Sequence, residues 1–216
     1  MSRSRWLVLA AIVSFLMVDM TGASGSPGPN PSRRTWPRAS PVTVEVLGTV
    51  DAVNDPTDLL DGSVVVGGAI SVLYQISPDA SPDPFSQPAM ADYWGAIGPR
   101  GLSLKVGSYL LHNGPNRVQV TMVDGGTYAD GLFDGWYVWA PNPRVRQRAI
   151  QADLTIFLAL YDGTAEALGS TALVPMPSLE AWPGARIGVS RSVTTGLVTY
   201  QDLFIAGEIT SIRAVD

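Results

Sequence analysis

Residues 42–53 read Val42-Thr43-Val44-Glu45-Val46-Leu47-Gly48-Thr49-Val50-Asp51-Ala52-Val53. Val42, Val44, Val46, Gly48, Val50 and Ala52 fall on one side of an extended chain, with Thr43, Glu45, Thr49 and Asp51 on the other. Successive strand side chains point to opposite faces, so this period of two predicts a long half-buried strand. The same period recurs downstream. Ile70, Val72, Tyr74 and Ile76 alternate, as do Leu102, Leu104 and Val106, and then Val118, Val120 and Met122. Nothing amphipathic at helical spacing lasts three turns. The expectation is an all-β domain, an antiparallel β-sandwich of jelly-roll type with about 8–10 strands, or alternatively a closed β-barrel.

Turn signals divide the pattern. Asp61-Gly62, between Leu59-Leu60 and Val64-Val65-Val66, reads as a hairpin-type turn. Residues 77–90 hold four prolines and read as a long loop. A single helical turn is predicted near Ala91–Ile97. Tyr109–His112 and Arg117–Val123 read as a hairpin around Asn113-Gly114-Pro115-Asn116. Residues 124–135 read as an Asp-Gly loop, followed by a short aromatic strand, Trp136–Ala140. Leu154–Tyr161 is apolar on both faces and suits a central, doubly covered strand. Residues 164–184 hold a helical turn at most. Arg186–Val193 and Thr199–Ile205 are late strands, the last running on to Ile212. Its period slips between Ile209 and Ile212, where a bulge is expected.

The chain before residue 42 has another character. Arg3 and Arg5 precede an apolar run, Trp6–Val18, that stops at Asp19 and is followed by Thr21-Gly22-Ala23-Ser24-Gly25. A basic start, a short apolar middle and a small-residue exit make a secretory signal peptide, with cleavage expected between Ala23 and Ser26. The run is shorter than the roughly 20 residues of a membrane-spanning helix. Residues 1–24 are thus assigned as signal peptide, 25–41 as a proline-rich flexible linker, and 42–216 as a single β domain. The expected location is secreted or periplasmic.

Composition narrows the function. The chain carries 14 Lys+Arg against 19 Asp+Glu, a net charge of −5. Loss of Arg3, Arg5 and Asp19 with the signal leaves 12 against 18. A mildly acidic chain has no electrostatic footprint for nucleic acid, nor for an anionic membrane after signal cleavage. Cysteine is absent and histidine occurs once, as His112. That removes thiol catalysis, cysteine-based metal sites and two-histidine sites, and makes any Ser-His-Asp triad depend on His112. Gly188-Val189-Ser190-Arg191-Ser192 lacks the closing glycine of a nucleophile elbow. A non-enzymatic domain is therefore expected.

Three groups of residues carry candidate chemistry. Asp124, Asp130 and Asp134 lie within eleven residues of glycine-rich chain and offer hard oxygen ligands for Ca²⁺; no other cofactor is expected. The bland alternative is a surface connection whose Asp-Gly pairs supply left-handed turn positions. Tyr128, Trp136, Tyr137 and Trp139 offer a platform for sugar rings, although large aromatics more often pack a core. Arg144, Arg146 and Arg148 alternate and project on one side of an extended strand. They suit either an anionic polymer or a soluble, charged sheet edge.

Gly48-Thr49-Val50 with Asp55-Pro56, then Leu60-Asp61-Gly62-Ser63-Val64-Val65-Val66-Gly67, form an ordered set of short motifs. Tyr74 with Ser77-Pro78-Asp79, Tyr93, Asp134-Gly135-Trp136-Tyr137, Asp162-Gly163-Thr164 and the closing Gly207-Glu208-Ile209-Thr210-Ser211-Ile212 continue it. In this order the chain resembles a group of secreted bacterial β-sandwich domains often found in PEP-CTERM-sorted proteins. The Pro-Glu-Pro sorting motif itself is not among the 216 residues. The resemblance implies secretion and a β-sandwich, and no activity. The function expected is a binding or structural role in the cell envelope or extracellular space, with a glycan or an envelope protein as partner. Two alternatives are a glycan-binding or glycan-cleaving protein acting near Asp124–Trp139, and a Ca²⁺-stabilised adhesion-type domain.

Overall fold

The computed structural model describes residues 40–84, 86–128, 131–145, 154–195 and 198–215. The side chains of residues 116, 128, 193–195 and 198–200 are outside that description. The expected signal peptide and nearly all of the linker lie outside the described residues.

Among the described residues, eleven strands carry the fold. They are β1 (Val42–Asn54), β2 (Ala69–Ile76), β3 (Met90–Trp94), β4 (Ile97–Val106), β5 (Tyr109–Asn113) and β6 (Gln119–Tyr128). The rest are β7 (Gly131–Pro141), β8 (Arg144–Val145), β9 (Leu154–Asp162), β10 (Gly184–Thr195) and β11 (Val198–Val215). All belong to one antiparallel sheet in the order β3-β6-β7-β9-β10-β11-β1-β2-β4-β5-β8, curled into a half-barrel. The all-β reading holds. The predicted alternation also holds: Val44, Val46, Val50, Ile70, Val72, Tyr74, Ile76, Leu102, Leu104, Val106, Val118, Val120 and Met122 are all buried in one core.

The connections explain the curl. Strand β3 is at one end of the sheet, and β4 is near the other, yet only Gly95 and Ala96 separate them. Two residues span roughly 10 Å at most, so the sheet must bring its ends face to face across the core. Asn142 and Pro143 make the same short crossing from β7 to β8. Bulges supply the bending. One lies at Thr210, where Leu47 pairs with Ser211 but Gly48 pairs with Ile209. That is where the sequence period slips. Others interrupt the β10–β11 and β6–β7 ladders.

Three expectations are corrected. Tyr109–His112 and Arg117–Val123 do not form a hairpin. Strand β5 pairs with β4 and β8, while β6 pairs with β3 and β7. Pro115–Arg117 forms a 3-10 turn closed by Arg117 N–H to Gly114 O, and the Asn113 side chain donates to Pro141 O at 2.7 Å, so the chain leaves across the sheet. The true hairpin is β4–β5, whose two-residue turn starts with Gly107 at φ +53°, the left-handed first position a type II′ turn requires. The predicted helical turn at Ala91–Ile97 is instead β3 and the corner into β4. Leu59–Leu60 and Val64–Val66 form no hairpin, because side chains satisfy the loop's backbone, as described below.

Strand β9 sits centrally, and Leu154, Ile156, Phe157, Leu158, Ala159 and Leu160 on its two faces are all buried. The doubly covered reading holds.

Candidate functional site

Residues 124–128 and 131–135, expected as loop, lie instead on strands β6 and β7. The two strands pair antiparallel, with a bulge between Val123 and Gly126. Trp136 points into the core, 1% exposed; its Nε1–H donates to Val174 O at 3.0 Å and its ring lies 6.4 Å from Tyr74. Tyr137 and Trp139 occupy the other face at 3% and 5% exposure. There they start an aromatic row across the sheet: Tyr137 stacks on Trp139 at 6.1 Å, Trp139 meets Phe157 at 6.3 Å, and Phe157 stacks on Phe204 at 6.1 Å. Rings this buried present no face to a sugar in solution, so Trp136, Tyr137 and Trp139 form no exposed platform. The side chain of Tyr128 lies outside the described residues.

The acidic residues are equally committed. Asp134 is fully buried; Oδ1 accepts the Gly125 N–H at 2.9 Å and Oδ2 the Leu168 N–H at 2.7 Å. Asp162, directly opposite on β9, accepts N–H groups of Thr164 and Glu166 and the Thr164 hydroxyl. Burial pushes the Asp162 carboxyl upward, but these donors outweigh it and hold it below the usual carboxylate range. Asp124 is half-buried, Asp130 lies outside the described residues, and no three potential metal ligands cluster among the described residues. The role of Asp162 in shaping the 163–168 turn was readable only as an Asp-Gly turn signal.

A concave site lies elsewhere, beside the loop joining β1 to β2. The Asp55 carboxylate accepts the N–H groups of Leu59 and Leu60 at 2.9 and 2.8 Å. Asp61 accepts the Ser63 N–H at 3.0 Å and the Ser108 hydroxyl at 2.6 Å, and its own N–H donates to the Tyr109 hydroxyl at 2.7 Å. The Ser63 hydroxyl bonds Ser108 in turn. Ser108 and Ser63 together draw the Asp61 carboxyl down to about 2. Gly67 N–H to Val50 O and Val50 N–H to Gly68 O clip the loop's far end to β1. The loop so fixed bounds a groove of about 440 Å³. Leu47, Val64, Val65, Ile70 and Val106 supply its apolar lining, and Ser63, Ser71 and Lys105 its polar groups. Val65 and Val66 stand out beside it, 56% and 65% exposed. By contrast, a void in the core beside Leu111, Val189 and Leu203 measures only about 10 Å³, about one water probe. Periodicity did not reveal the groove, because a valine triplet reads as strand whether or not it pairs.

His112 faces outward on β5, where its Nδ1 lies 2.9 Å from the Ser103 hydroxyl. The same row of the sheet offers Glu45, two strands beyond Ser103, but Arg213 engages it at 2.7 Å. A serine and histidine on an exposed sheet face, with no free carboxylate beside the ring among the described residues, lack the geometry of a triad. Arg144 is exposed opposite His112; Arg146 and Arg148 lie outside the described residues.

No protein-family model matches the chain, and comparison with curated proteins and with solved structures likewise found no match.

Proposed function

We propose that the chain is a secreted, non-catalytic β domain that binds a partner in the cell envelope or extracellular space, with the groove beside residues 55–68 as its contact site. One observation carries this reading: an apolar concavity of about 440 Å³, edged by Lys105, Ser63 and Ser71, on a loop pinned in place by side-chain hydrogen bonds. Small-ligand sites fall in the range of roughly 300–1,000 Å³, mostly apolar with a few placed polar groups. The non-catalytic part is supported by how the acids are used. Asp55, Asp134 and Asp162 hold backbone N–H groups, while Asp51, Asp202 and Glu45 pair with Arg186, Arg191 and Arg213. Secretion rests on the segment from Arg3 to Gly25, and the likeness of its turn motifs to secreted bacterial β domains points the same way.

The test is a titration with 1-N-phenylnaphthylamine, a dye that fluoresces in apolar sites. Wild type is expected to enhance its emission, and Val65→Asp to weaken binding about tenfold, or about 1.4 kcal/mol, without lowering the melting temperature. Dye binding that is absent, or indifferent to Val65→Asp, overturns the groove. Exported protein whose mass still begins at Met1 overturns cleavage between Ala23 and Ser26.

A further inference from the structure

We propose that the outward face of β2, β4, β5 and β8 binds an acidic polysaccharide. Strand register builds this face. Ser71, Lys105 and Leu110 lie side by side in one row, and Leu73, Ser103, His112 and Arg144 in the next. Lys105, His112 and Arg144 are all exposed, and neither Lys105 nor Arg144 has an ion-pair partner among the described residues. The outward positions of β2 are Ala69, Ser71, Leu73 and Gln75, so no carboxylate stands among the cations on these four strands. The nearest acid in the rows, Glu45 on β1, is neutralised by Arg213. A cationic strip on a chain of net charge −5 runs against the composition.

The spacing fits an extended polymer. Adjacent strands are about 4.8 Å apart and alternate residues about 6.8 Å, which sets His112 about 5 Å from Arg144 and about 8 Å from Lys105. An extended polymer bearing a carboxylate on every ring can reach Lys105 and Arg144 together, with the His112 ring between them. Leu73 and Leu110, 46% and 37% exposed, flank Lys105 on the neighbouring strands and offer apolar surface to the C–H faces of sugar rings. Ser71, Ser103 and Gln75 add hydrogen-bonding groups. An anionic bilayer fits less well: the protruding apolar residues nearby, Val65 and Val66, share their loop with Asp58 and Asp61, which such a bilayer repels.

The test is affinity electrophoresis through gels containing polygalacturonate, with dextran as the neutral polymer and phosphatidylglycerol vesicles in a flotation assay. Polygalacturonate is expected to retard the wild-type chain, less so at high salt, and dextran not to. His112→Gln with Arg144→Gln is expected to weaken retention about tenfold, the combined size of one exposed charge contact and one hydrogen bond. Neither residue lines the groove, so dye binding and melting temperature stay unchanged. No retardation, equal retardation by dextran, an unaffected double variant, or binding to vesicles without binding to polymer each overturns the proposal. Polymer binding with dye binding absent leaves this proposal standing and removes the groove; the reverse result removes only this one.

Discussion

Replacing Asp134 tests whether this buried carboxylate holds the fold or holds a metal. Its two oxygens accept the N–H groups of Gly125, in the β6–β7 bulge, and Leu168, in the loop after β9. Asp134→Ala leaves both donors without acceptors. A buried unsatisfied donor costs about 1–3 kcal/mol. Gly125 and Leu168 are only half-buried, so water recovers part of each loss, and the sum is about 3 kcal/mol. Asp134→Asn keeps one acceptor but turns an NH₂ toward the other donor, which forfeits one bond of the two, about 1–2 kcal/mol. Domains are stable by about 5–15 kcal/mol, so both losses are measurable. Urea unfolding followed by tryptophan fluorescence reads them, with Trp136 two residues away and buried. Each curve is taken with millimolar Ca²⁺ and again with EDTA. The expected order is wild type above Asn above Ala, with the same gaps in both conditions. A loss under about 0.5 kcal/mol for Asp134→Ala refutes the tie. Stabilisation of wild type by Ca²⁺ that vanishes in Asp134→Ala refutes it in favour of the metal reading.

Two further predictions follow from single contacts. A Cβ at Gly188 would sit 2.2 Å from Ile205 O and 2.6 Å from the Phe157 ring, so Gly188→Ala should cost about 3 kcal/mol, the upper end for overpacking. Gly114→Ala, with open space around it, should be nearly neutral by the same denaturation assay; equal effects would show the aromatic row is looser than described. The carboxyls of Asp61 (about 2), Asp162 and Asp202 are all held down; Arg191 does this for Asp202. Groups depressed in the folded state stabilise it above their unfolded pKa, near 3.9, and lose that contribution as pH falls through the folded value. Melting temperature should therefore be flat near neutrality and fall from about pH 4 toward pH 2, and Asp202→Asn should flatten part of that slope. A melting temperature that holds or rises over this window would contradict the assigned hydrogen bonds.

Facing was legible in the sequence where pairing was not, and the physics separates them. A strand that buries one side must place apolar residues two apart, so Val44, Val46 and Val50, or Ile70, Val72, Tyr74 and Ile76, announce their inward side from residue type alone. Strand β9 announced burial on both sides in the same way, and the slip between Ile209 and Ile212 marked the bulge at Thr210 because an extra residue must break the period. Nothing comparable encodes the neighbour. Between β5 and β6, Asn113-Gly114-Pro115-Asn116 has the composition of a hairpin turn, and the flanking strands alternate as hairpin arms would. What prevents pairing is distant: β5 has its bonds with β4 and β8, and Asn113 is held to Pro141. The roles of Asp134 and of the β7 aromatic residues were illegible for a related reason. Aspartate before glycine reads as a turn whether its carboxylate faces water or gathers backbone N–H groups from 34 residues away, as Asp134 does from Leu168. Aromatic residues read as platform or packing according to what covers them. Trp136, Tyr137 and Trp139 alternate along β7, so a strand covered on one side alone would leave Trp136 or the Tyr137–Trp139 pair in solvent. Burial of Trp136 is a property of the closed-over sheet, with connections as short as Gly95-Ala96, and Tyr137 and Trp139 pack in a row with Phe157 and Phe204 from distant strands; no window of local sequence contains either arrangement.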